Sequence, residues 1–396
     1  CHMYTVYSLW DTFRALHPLI TIIDPQRAQD FVRALLVKYK ESGLLPVWEL
    51  ASNETNCMIG YHAVPVIADT YKKGLKDFDV DLALKAIKKS AMHDQFGMSY
   101  YKSRGYIPAD RENESVSRTL EYAYDDWCIA KMAIDMGKND DFTYFMKRSQ
   151  CYKNVFDASS GFMRGKKNGN WVSPFEPSEV SGIYTEANAW QYSWFAPHDI
   201  LGLIEIMGGK EQFRKHLDTL FNTSPELKGR TQPDISGMIG QYAHGNEPSH
   251  HMAYLYNWTD TPQRTAELVR KIMKDFYTNE RNGLIGNEDC GQLSAWYVFS
   301  AMGFYPVCPG DNTYALGSPL FRKITVGPGT GTTFIIESDS LSDEQIYIKE
   351  VLWNGNPHTG PLNHSQIAAG GTLFLNCTST PTGLPHPPGK TITKEM

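Results

Sequence analysis

A single glutamate lies in a segment that is otherwise rich in aromatic and amide side chains. The segment is Tyr184–Tyr192, and Glu186 is its only charged residue. Burial among aromatic rings disfavours the charged form of a carboxyl group and raises its pKa, which is the property that a general acid needs at neutral pH. Glu186 is therefore a candidate general acid. The alternative is a structural role, in which Glu186 caps the helix that follows.

The segment His244–His251 combines imidazoles with hard oxygen donors. Asn246 and Glu247 offer amide and carboxylate oxygens, and Gln241 lies just before them. Such oxygens suit Ca²⁺, whereas zinc prefers histidine and carboxylate at the helical spacing of an HExxH motif, which is absent from the sequence. We expect Gln241, Asn246 and Glu247 to bind Ca²⁺. A capping role for Asn246 and Glu247, on a helix through Leu255, is the alternative.

A second candidate carboxylate lies in the glycine-flanked turn Gly286–Gln292. Asp289 belongs to this turn and directly precedes an apolar helical pattern. The turn could be only a helix cap. If Asp289 faces the same cleft as Glu186, however, the chain places two carboxyl groups in different environments, which is what glycoside hydrolysis requires.

Further polar and aromatic side chains could bind sugar hydroxyl groups or stack on a sugar ring. Asp11 and Arg14 are three residues apart near the start of the chain, a spacing that also fits an ordinary helical ion pair. Glu49 and Glu54 offer further acceptors, and the residues alone indicate structural roles for them. The predicted substrate-binding residues are Trp10, Asp11, Arg14, Glu49, Glu54, Trp190, His250, His251 and Asn287.

Helical patterns fill the chain from about residue 24 to about residue 306. The clearest helix begins at Asp24-Pro25, an N-cap followed by proline at the first helical position, and its apolar residues recur at helical spacing until Gly43. Similar patterns are Val80–Met92, Ser115–Met136, Asp140–Val155, Lys210–Phe221, Thr261–Phe276 and Leu293–Met302. The sequence therefore predicts a mainly α fold.

After about residue 306 the pattern changes to short strands separated by turns. The predicted strands are Ile324–Val326, Thr333–Glu337, Gln345–Leu352 and Thr372–Asn376. We expect an all-β segment over residues 310–381, which is short for a β-sandwich of its own, and a flexible tail over residues 382–396. The all-β segment would complete a sheet whose other strands lie elsewhere.

Composition argues against several classes of protein. The chain has 396 residues and a formal net charge of −6. This acidic balance argues against nucleic acid or an anionic membrane as the main partner, and no apolar run approaches the ~20 residues of a membrane span. The seven cysteines are scattered, so we expect mostly reduced thiols, and neither a disulfide framework nor a thiolate zinc site.

Several strings together resemble glycoside hydrolase family 92, the calcium-dependent exo-acting α-mannosidases. These strings are Ser8–Pro18, Trp48–His62, Leu120–Trp127, Tyr184–Trp194, His244–His251 and Gly286–Gly310. The resemblance runs from about Ser8 to about Pro381 and implies an (α/α)6 toroid barrel, which we place at residues 1–309. Family members carry a β-sandwich before the barrel. We expect most of it to be missing from this chain, with residues 310–381 as a remaining part.

The resemblance also implies roles for individual residues. By the motif, Glu186 matches the general acid and Asp289 the general base of an inverting hydrolysis. The family's Ca²⁺ binds the O2 and O3 hydroxyl groups of the terminal mannose. The implied substrate is a mannose-containing oligosaccharide, such as an N-glycan or yeast mannan with α-1,2 linkages, and the implied location is the periplasm, the cell surface or the medium.

Two positions depart from the family pattern. Asn287 stands where some members carry the first Asp of an Asp-x-Asp pair, so one carboxylate that could share water activation is an amide. Ala187 stands where glycine is usual after the acid. Three alternatives stay open: a mannose-phosphodiester hydrolase of the same fold, a non-catalytic mannose-binding fragment, and a zinc hydrolase that uses His244, His250 and His251.

Overall fold

The computed structural model describes residues 2–327 and 331–381. The predicted tail at residues 382–396 lies outside the described residues. Within them the chain is mainly α-helical, as the sequence predicts. The α-helices are α1 (Leu9–Thr12), α2 (Leu16–Ile23), α3 (Pro25–Ser42), α4 (Ala63–Lys72), α5 (Val80–Met92), α6 (Met98–Arg104), α7 (Ser115–Asp135), α8 (Asn139–Arg148), α9 (Ala189–Tyr192), α10 (Ile200–Ile206), α11 (Lys210–Asn222), α12 (Gln263–Phe276), α13 (Gln292–Met302) and α14 (His364–Ala369). The 3₁₀ helices are Ser149–Val155, Pro197–Asp199, Glu247–Ser249 and Met252–Trp258.

Predicted helix ends are confirmed where the capping chemistry is clear. At the start of α3, the Asp24 carboxylate accepts a hydrogen bond from the Arg27 backbone N–H at 3.0 Å. Gly43 ends the same helix in the left-handed conformation, with φ of 84°. Helix α5 begins in the same way, because Asp79 accepts from the Leu82 N–H at 2.9 Å. Side-chain acceptors satisfy N–H groups that lack an intrahelical partner, and glycine adopts positive φ at little cost.

Helix α7 lies at the centre of the helical part. Almost all of its residues are buried around its whole circumference, and it packs against α4, α5, α8 and the 3₁₀ helix that follows α8. A helix that is buried on every side belongs to the interior of a large domain. Its buried acidic residues Glu121, Asp125 and Asp126 therefore need partners inside the protein.

Buried ion pairs supply those partners. His62 bridges Glu121 and Asp125, with 2.8 Å between each ring nitrogen and a carboxylate oxygen. Burial opposes protonation of this histidine, but the two carboxylates outweigh it and raise the pKa of His62 to about 9. The imidazolium therefore donates from both nitrogens. Asp126 pairs with Arg148 at 2.8 Å.

The strands are short in the helical part and longer after residue 306. They are β1 (Tyr7–Ser8), β2 (Trp48–Leu50), β3 (Asn53–Glu54), β4 (Phe156–Asp157), β5 (Phe162–Met163), β6 (Lys166–Lys167), β7 (Asn170–Trp171), β8 (Glu179–Val180), β9 (Lys228–Gly229), β10 (Met238–Ile239), β11 (Tyr242–Ala243), β12 (Phe304–Tyr305), β13 (Thr313–Leu316), β14 (Lys323–Val326), β15 (Phe334–Asp339), β16 (Tyr347–Trp353), β17 (Asn356–Pro357), β18 (Leu362–Asn363) and β19 (Gly371–Thr378). Five of them form one sheet in the order β14-β15-β19-β16-β17, in which β15 and β19 run parallel. The four strands predicted after residue 306 correspond to β14, β15, β16 and β19, and their prediction is confirmed.

One prediction about this part of the chain is wrong. Residues 310–381 are not all-β, because α14 lies between β18 and β19. At the start of α14, Gln366 Oε1 accepts from the Asn363 backbone N–H at 3.0 Å. This is the return bond of a capping box, and it lets a helix form that is too short to show apolar periodicity. Strand β12 pairs with β13 across the predicted domain boundary at residue 309, so the division into two domains stays a prediction.

Candidate active site

Glu186 lies in the turn before α9. Its backbone is left-handed, with φ of 46°. Asn188 and Gln191 form the capping box of α9, so the capping role falls to Asn188 and the Glu186 carboxyl group is left for other interactions. A non-glycine residue in this conformation costs free energy, and such residues cluster at functional sites.

Burial and neighbouring charges set the protonation state of Glu186. Burial is the largest cause and the negative charge of Asp234 the next, and they raise the pKa of Glu186 to about 7. The charge of Asp289 adds a weaker contribution in the same direction. Asn246 opposes this shift, because its Nδ2 donates to Glu186 Oε2 at 3.3 Å. The same Nδ2 donates to the Glu186 backbone carbonyl at 3.0 Å. A carboxyl group with a pKa near 7 still carries its proton in a large fraction of molecules at neutral pH, as a general acid must.

Asp289 lies in the turn before α13 and is also left-handed, with φ of 51°. The neighbouring Glu288 caps this helix, because its carboxylate accepts from the Ser294 N–H at 3.2 Å. Asp289 is thus free of capping contacts. Burial raises the pKa of Asp289, and the charge of Asp234 adds to the shift.

Asp289 meets two further carboxylates, those of Asp11 and Glu247. One oxygen from each of the three residues lies within 4.8 Å of the others. Asp11 and Glu247 are fully buried, and no N–H or O–H group donates to either carboxylate oxygen of Glu247 or to Oδ1 of Asp11. Burial raises the pKa of Asp11 and of Glu247, and the neighbouring acids raise both further. The Ser8 hydroxyl, which donates to Asp11 Oδ2, opposes the shift of Asp11, and the positive charge of Arg14 opposes both shifts.

The three side chains of Asp11, Glu247 and Asp289, which we call the carboxylate group, have the chemistry of a cation site. Carboxylates this close together and shielded from solvent are stable only if some are protonated or if a cation neutralises them. The donors are all oxygens, which suits a hard cation such as Ca²⁺ better than zinc. Asp11, Glu247 and Asp289 therefore fit Ca²⁺, and the unpartnered oxygens of Asp11 and Glu247 are the observation that supports the fit.

The other two predicted Ca²⁺ ligands have amide groups that are engaged elsewhere. Gln241 Oε1 accepts from Asn188 Nδ2 at 2.8 Å, and its Nε2 donates to two backbone carbonyl groups. Gln241 thus braces the cap of α9. Asn246 Nδ2 donates a hydrogen bond to Glu186, while Asn246 Oδ1 accepts from the Glu247 N–H at 3.3 Å. Asn246 therefore links the acid to the carboxylate group.

The loops that carry Glu247 and Asp289 touch backbone to backbone. A Cβ added at Gly286 would lie 2.5 Å from the Gly245 carbonyl oxygen and 2.7 Å from the Gly245 Cα. A Cβ at Gly245 would lie 2.0 Å from Ser236 Oγ. The missing side chain of Gly286 permits this close approach of the two backbones, and that of Gly245 leaves room for Ser236. The contact holds together the two loops that carry these carboxylates.

Arg14, His250 and His251 line a small hollow, with a volume of about 10 Å³, together with aromatic rings, among them Phe13 and Tyr305. Burial lowers the pKa of His250 to about 3 and that of His251 to about 4, so both rings are neutral. The Arg14 guanidinium and the neutral His251 ring are suitable partners for the hydroxyl groups of a sugar, whereas both ring nitrogens of His250 are bonded within the protein. The hollow adjoins the carboxylate group through Arg14, whose charge acts on it.

The zinc alternative loses support because its three histidines are bonded to the protein. His244 lies between the hydroxyl groups of Tyr242 and Tyr277, at 2.7 Å from each. His250 and His251 each bond a backbone carbonyl through Nε2 at 3.0 Å. Within the described residues, the group of possible metal ligands that the fold brings together contains no histidine.

Three predicted substrate-binding residues lie in structural surroundings. Glu49 is buried in β2, where it pairs with Lys38. Glu54 is exposed in β3 and accepts from nearby backbone N–H groups. The Trp190 ring stacks on His216, with 5.1 Å between the ring centroids. The structure gives each of these residues a partner outside the carboxylate group.

Sequence reasoning missed two residues that act on the site. Asp234 accepts from the predicted site residue Asn287, with 2.9 Å between Asn287 Nδ2 and Asp234 Oδ1, and its charge acts on Glu186. No periodic pattern marks Asp234 in the sequence. Glu121 lies beneath the site in α7, and here a signal existed, because Leu120–Trp127 places three acids in an otherwise apolar helix.

The chain thus combines a mainly helical fold with a glutamate of raised pKa and a nearby cluster of carboxylates. The sequence profile of the glycosyl hydrolase family 92 catalytic domain matches residues 1–379, and the chain belongs to this family. A curated relative, described as an uncharacterized secreted glycosidase of Arthroderma benhamiae, is 29% identical over 87% of this chain and 48% of its own length.

Solved structures of family members have the same fold. The α-mannosidase BT3965 of Bacteroides thetaiotaomicron, in complex with mannoimidazole, superposes with a TM-score of 0.93 at 41% identity and covers 98% of this chain. The inverting mannosidase BT2199 of the same organism superposes with a TM-score of 0.90 at 37% identity and covers 99% of this chain. The match includes 54% of the BT3965 chain and 56% of the BT2199 chain, so this chain spans about half the length of these relatives.

Replacing Gly286 with alanine tests whether the two carboxylate loops must touch. Because the added Cβ would lie 2.5 Å from the Gly245 carbonyl oxygen, we expect about 1–3 kcal/mol of overpacking strain, which the loops relieve by moving apart. Ca²⁺ affinity, measured by calorimetry, should then fall roughly tenfold or more. The control is Gly182→Ala, whose Cβ meets no atom within 4 Å. Equal Ca²⁺ affinity in both variants would contradict the proposed role of the contact.

Proposed function

We propose that this chain is the catalytic part of an inverting, exo-acting α-mannosidase, with Glu186 as general acid and Asp289 as general base. The observation that carries the proposal is the raised pKa of Glu186, about 7, together with the charge that Asp289 exerts on it from a separate loop. Two carboxyl groups in different environments that share one cleft suit acid and base roles. Family membership and the mannosidase relatives support the same assignment.

The chemistry follows from the two protonation states. Glu186 passes its proton to the glycosidic oxygen as the bond from that oxygen to the anomeric carbon breaks. Asp289 takes a proton from a water molecule, whose oxygen bonds to the anomeric carbon from the opposite face of the sugar. The water must fit between Asp289 and the sugar, which in inverting enzymes requires roughly 6.5–9.5 Å between the two carboxyl groups.

We propose Ca²⁺ as the cofactor, held by Asp11 and Glu247 with Asp289 and the Asn246 Oδ1 beside it. When bound, the ion supplies the positive charge that the carboxylate group lacks and polarises the hydroxyl groups of the sugar. The chain's own part is to hold the oxygens in place. Asn246 serves both halves of the site, because its Nδ2 stays on Glu186.

The proposed substrate is a mannose-containing oligosaccharide, such as an N-glycan or mannan, from which α-1,2-linked terminal mannose is released. Trp10, Arg14, His250 and His251 would contact the sugar, because the last three line the hollow beside the carboxylate group and Trp10 adjoins Asp11. The presence of mannoimidazole in the BT3965 structure supports a mannose-shaped site. Asn287 places an amide next to the base, and its hydrogen bond to Asp234 keeps it there.

Architecture and location complete the proposal. We propose that the helices form an (α/α)6 toroid barrel over residues 1–309 and that residues 310–381 belong to a β-sandwich supplied largely by sequence outside this chain. The coverage of about half of the BT3965 and BT2199 chains supports a further domain. A periplasmic, secreted or cell-surface location is supported by the secreted curated relative. No helix in the described part of the chain is long and apolar enough to cross a membrane.

Replacing Glu186 with glutamine removes the proposed proton donor and keeps the shape of the side chain. We expect kcat/KM for α-1,2-mannobiose to fall at least about 100-fold. The loss should be smaller for an aryl mannoside, because a good leaving group needs little protonation. Release of mannose from both substrates measures the effect. The control is Glu211→Gln, at an exposed residue of α11, which should keep wild-type activity.

The same substrates separate the alternative functions. A mannose-binding fragment would bind mannose but release none, either before or after the change. A mannose-phosphodiester hydrolase would lose little activity in Glu186→Gln, because a phosphate leaving group needs little acid assistance. Undiminished hydrolysis of α-1,2-mannobiose by Glu186→Gln would contradict the proposed acid.

Ca²⁺ should stabilise the folded chain and support its activity. At a free Ca²⁺ concentration of 100 times Kd, the free energy of unfolding should rise by about 2.7 kcal/mol, because the ion relieves repulsion among three carboxylates. In Glu247→Gln we expect this rise to disappear, and the ion-free variant to have a higher Tm than ion-free wild type. Thermal unfolding with EGTA or with Ca²⁺ measures both effects.

A chelator comparison identifies the metal. EGTA should abolish mannose release, and a zinc-selective chelator should leave it unchanged. If Ca²⁺ raises the Tm of Glu247→Gln as much as that of wild type, the ion binds elsewhere and the proposed ligands are wrong.

A further inference from the structure

One buried carboxylate lies beneath the site and joins two of its segments. Glu121 Oε1 accepts from Trp10 Nε1 at 3.0 Å, from Tyr192 OH at 2.9 Å and from Arg14 Nη2 at 3.4 Å. Its Oε2 is bonded to His62 Nε2 at 2.8 Å. We infer that Glu121 is the positioning residue that fixes the segment of Asp11 relative to the segment of Glu186. The inference rests on the proposed function.

The two segments need an external support because each is a very short helix. Trp10 belongs to α1 and directly precedes Asp11, while Tyr192 is the last residue of α9, which begins just after the turn of Glu186. Each helix has four residues. Helices of this length are not stable by themselves, so their positions depend on contacts with the rest of the protein.

Glu121 can serve as that support because it is itself held firmly. It is completely buried in α7, with 0% of its surface exposed. The imidazolium of His62 binds its second oxygen and is bound in turn by Asp125. The His62 ring also stacks on Phe13, with 4.4 Å between the ring centroids. A carboxylate with four donors around it has little freedom to move.

The same carboxylate aims Arg14 at the site. Glu121 is the ionic partner of Arg14, and the Arg14 charge acts on both Asp11 and Glu247. Arg14 also lines the hollow beside the carboxylate group. Loss of the Glu121 charge would therefore free a guanidinium that competes with a cation for the same carboxylates. Ca²⁺ affinity then reports on Glu121 without any need for catalysis.

Helix α7 contains a matched control. Asp126 is also completely buried, and it pairs with Arg148 at 2.8 Å. It further accepts from Tyr61 OH at 2.9 Å and Tyr101 OH at 3.1 Å. None of these three partners belongs to the segments of Asp11, Glu186, Glu247 or Asp289. Asp126→Asn thus removes a buried charge of the same kind from the same helix without touching the site.

The experiment compares Glu121→Gln with Asp126→Asn in the full chain. Glutamine keeps an oxygen that can accept from Trp10 and Tyr192 and an amide that can donate to a neutral His62, so the fold should survive, but it lacks the charge that pairs with Arg14. We expect Glu121→Gln to lower kcat and Ca²⁺ affinity by about 10–100-fold each, with KM changed less than kcat. Asp126→Asn should leave kcat and Ca²⁺ affinity within about twofold of wild type, even if its Tm falls as much as that of Glu121→Gln.

A second variant guards against misfolding. Tyr192→Phe removes a single hydroxyl group and one link to Glu121, and we expect kcat to fall about tenfold. An unchanged kcat in Tyr192→Phe, or equal losses in Glu121→Gln and Asp126→Asn at matched Tm, would overturn the inference. A wild-type chain that releases no mannose would overturn the proposed function alone, because Ca²⁺ affinity would still decide whether Glu121 positions the site.

Discussion

Electrostatic repulsion among three closely spaced carboxyl groups, two of them buried and that of Asp289 partly buried, is the constraint that shapes this site. Asp11, Glu247 and Asp289 are brought within 4.8 Å of one another, and no described N–H or O–H group donates to either oxygen of Glu247. Burying unpaired charges costs several kcal/mol for each ion, so without a cation these groups hold protons and their pKa values rise. A divalent ion such as the proposed Ca²⁺ would remove that cost, so the fold would contribute to its binding by holding the carboxylates together beforehand.

The surrounding fold keeps the carboxylates together against this repulsion. The contact between Gly245 and Gly286 sets the approach of two loops. Glu186 and Asp289 both occupy left-handed backbone conformations, which persist only when their surroundings determine them. Beneath the site, Glu121 ties together two helices that are too short to be stable alone. Local strain and buried charge are thus concentrated where the chemistry is proposed to occur.

Local chemistry made much of the fold predictable, and long-range packing limited the prediction of the site. The cap at Asp24 and the stop at Gly43 marked a helix that the structure contains, whereas α14 was missed because its capping box has no apolar repeat beside it. Glu186 and Asp289 stood out because of their neighbours in sequence. Asp11 was predicted as a sugar ligand, and its place in the carboxylate group depends on contacts between segments far apart in the chain. Gln241 was predicted as a Ca²⁺ ligand, but its amide oxygen accepts a hydrogen bond from Asn188, which is also a contact between segments far apart in the chain.

A crystal structure of the chain grown with CaCl₂, with the ion located by its anomalous signal, tests the central claim most directly. The account predicts one ion at about 2.3–2.6 Å from oxygens of Asp11 and Glu247, with roughly 6.5–9.5 Å between the carboxyl groups of Glu186 and Asp289. An ion bound at another place, or three carboxyl groups that share protons in saturating Ca²⁺, would contradict it.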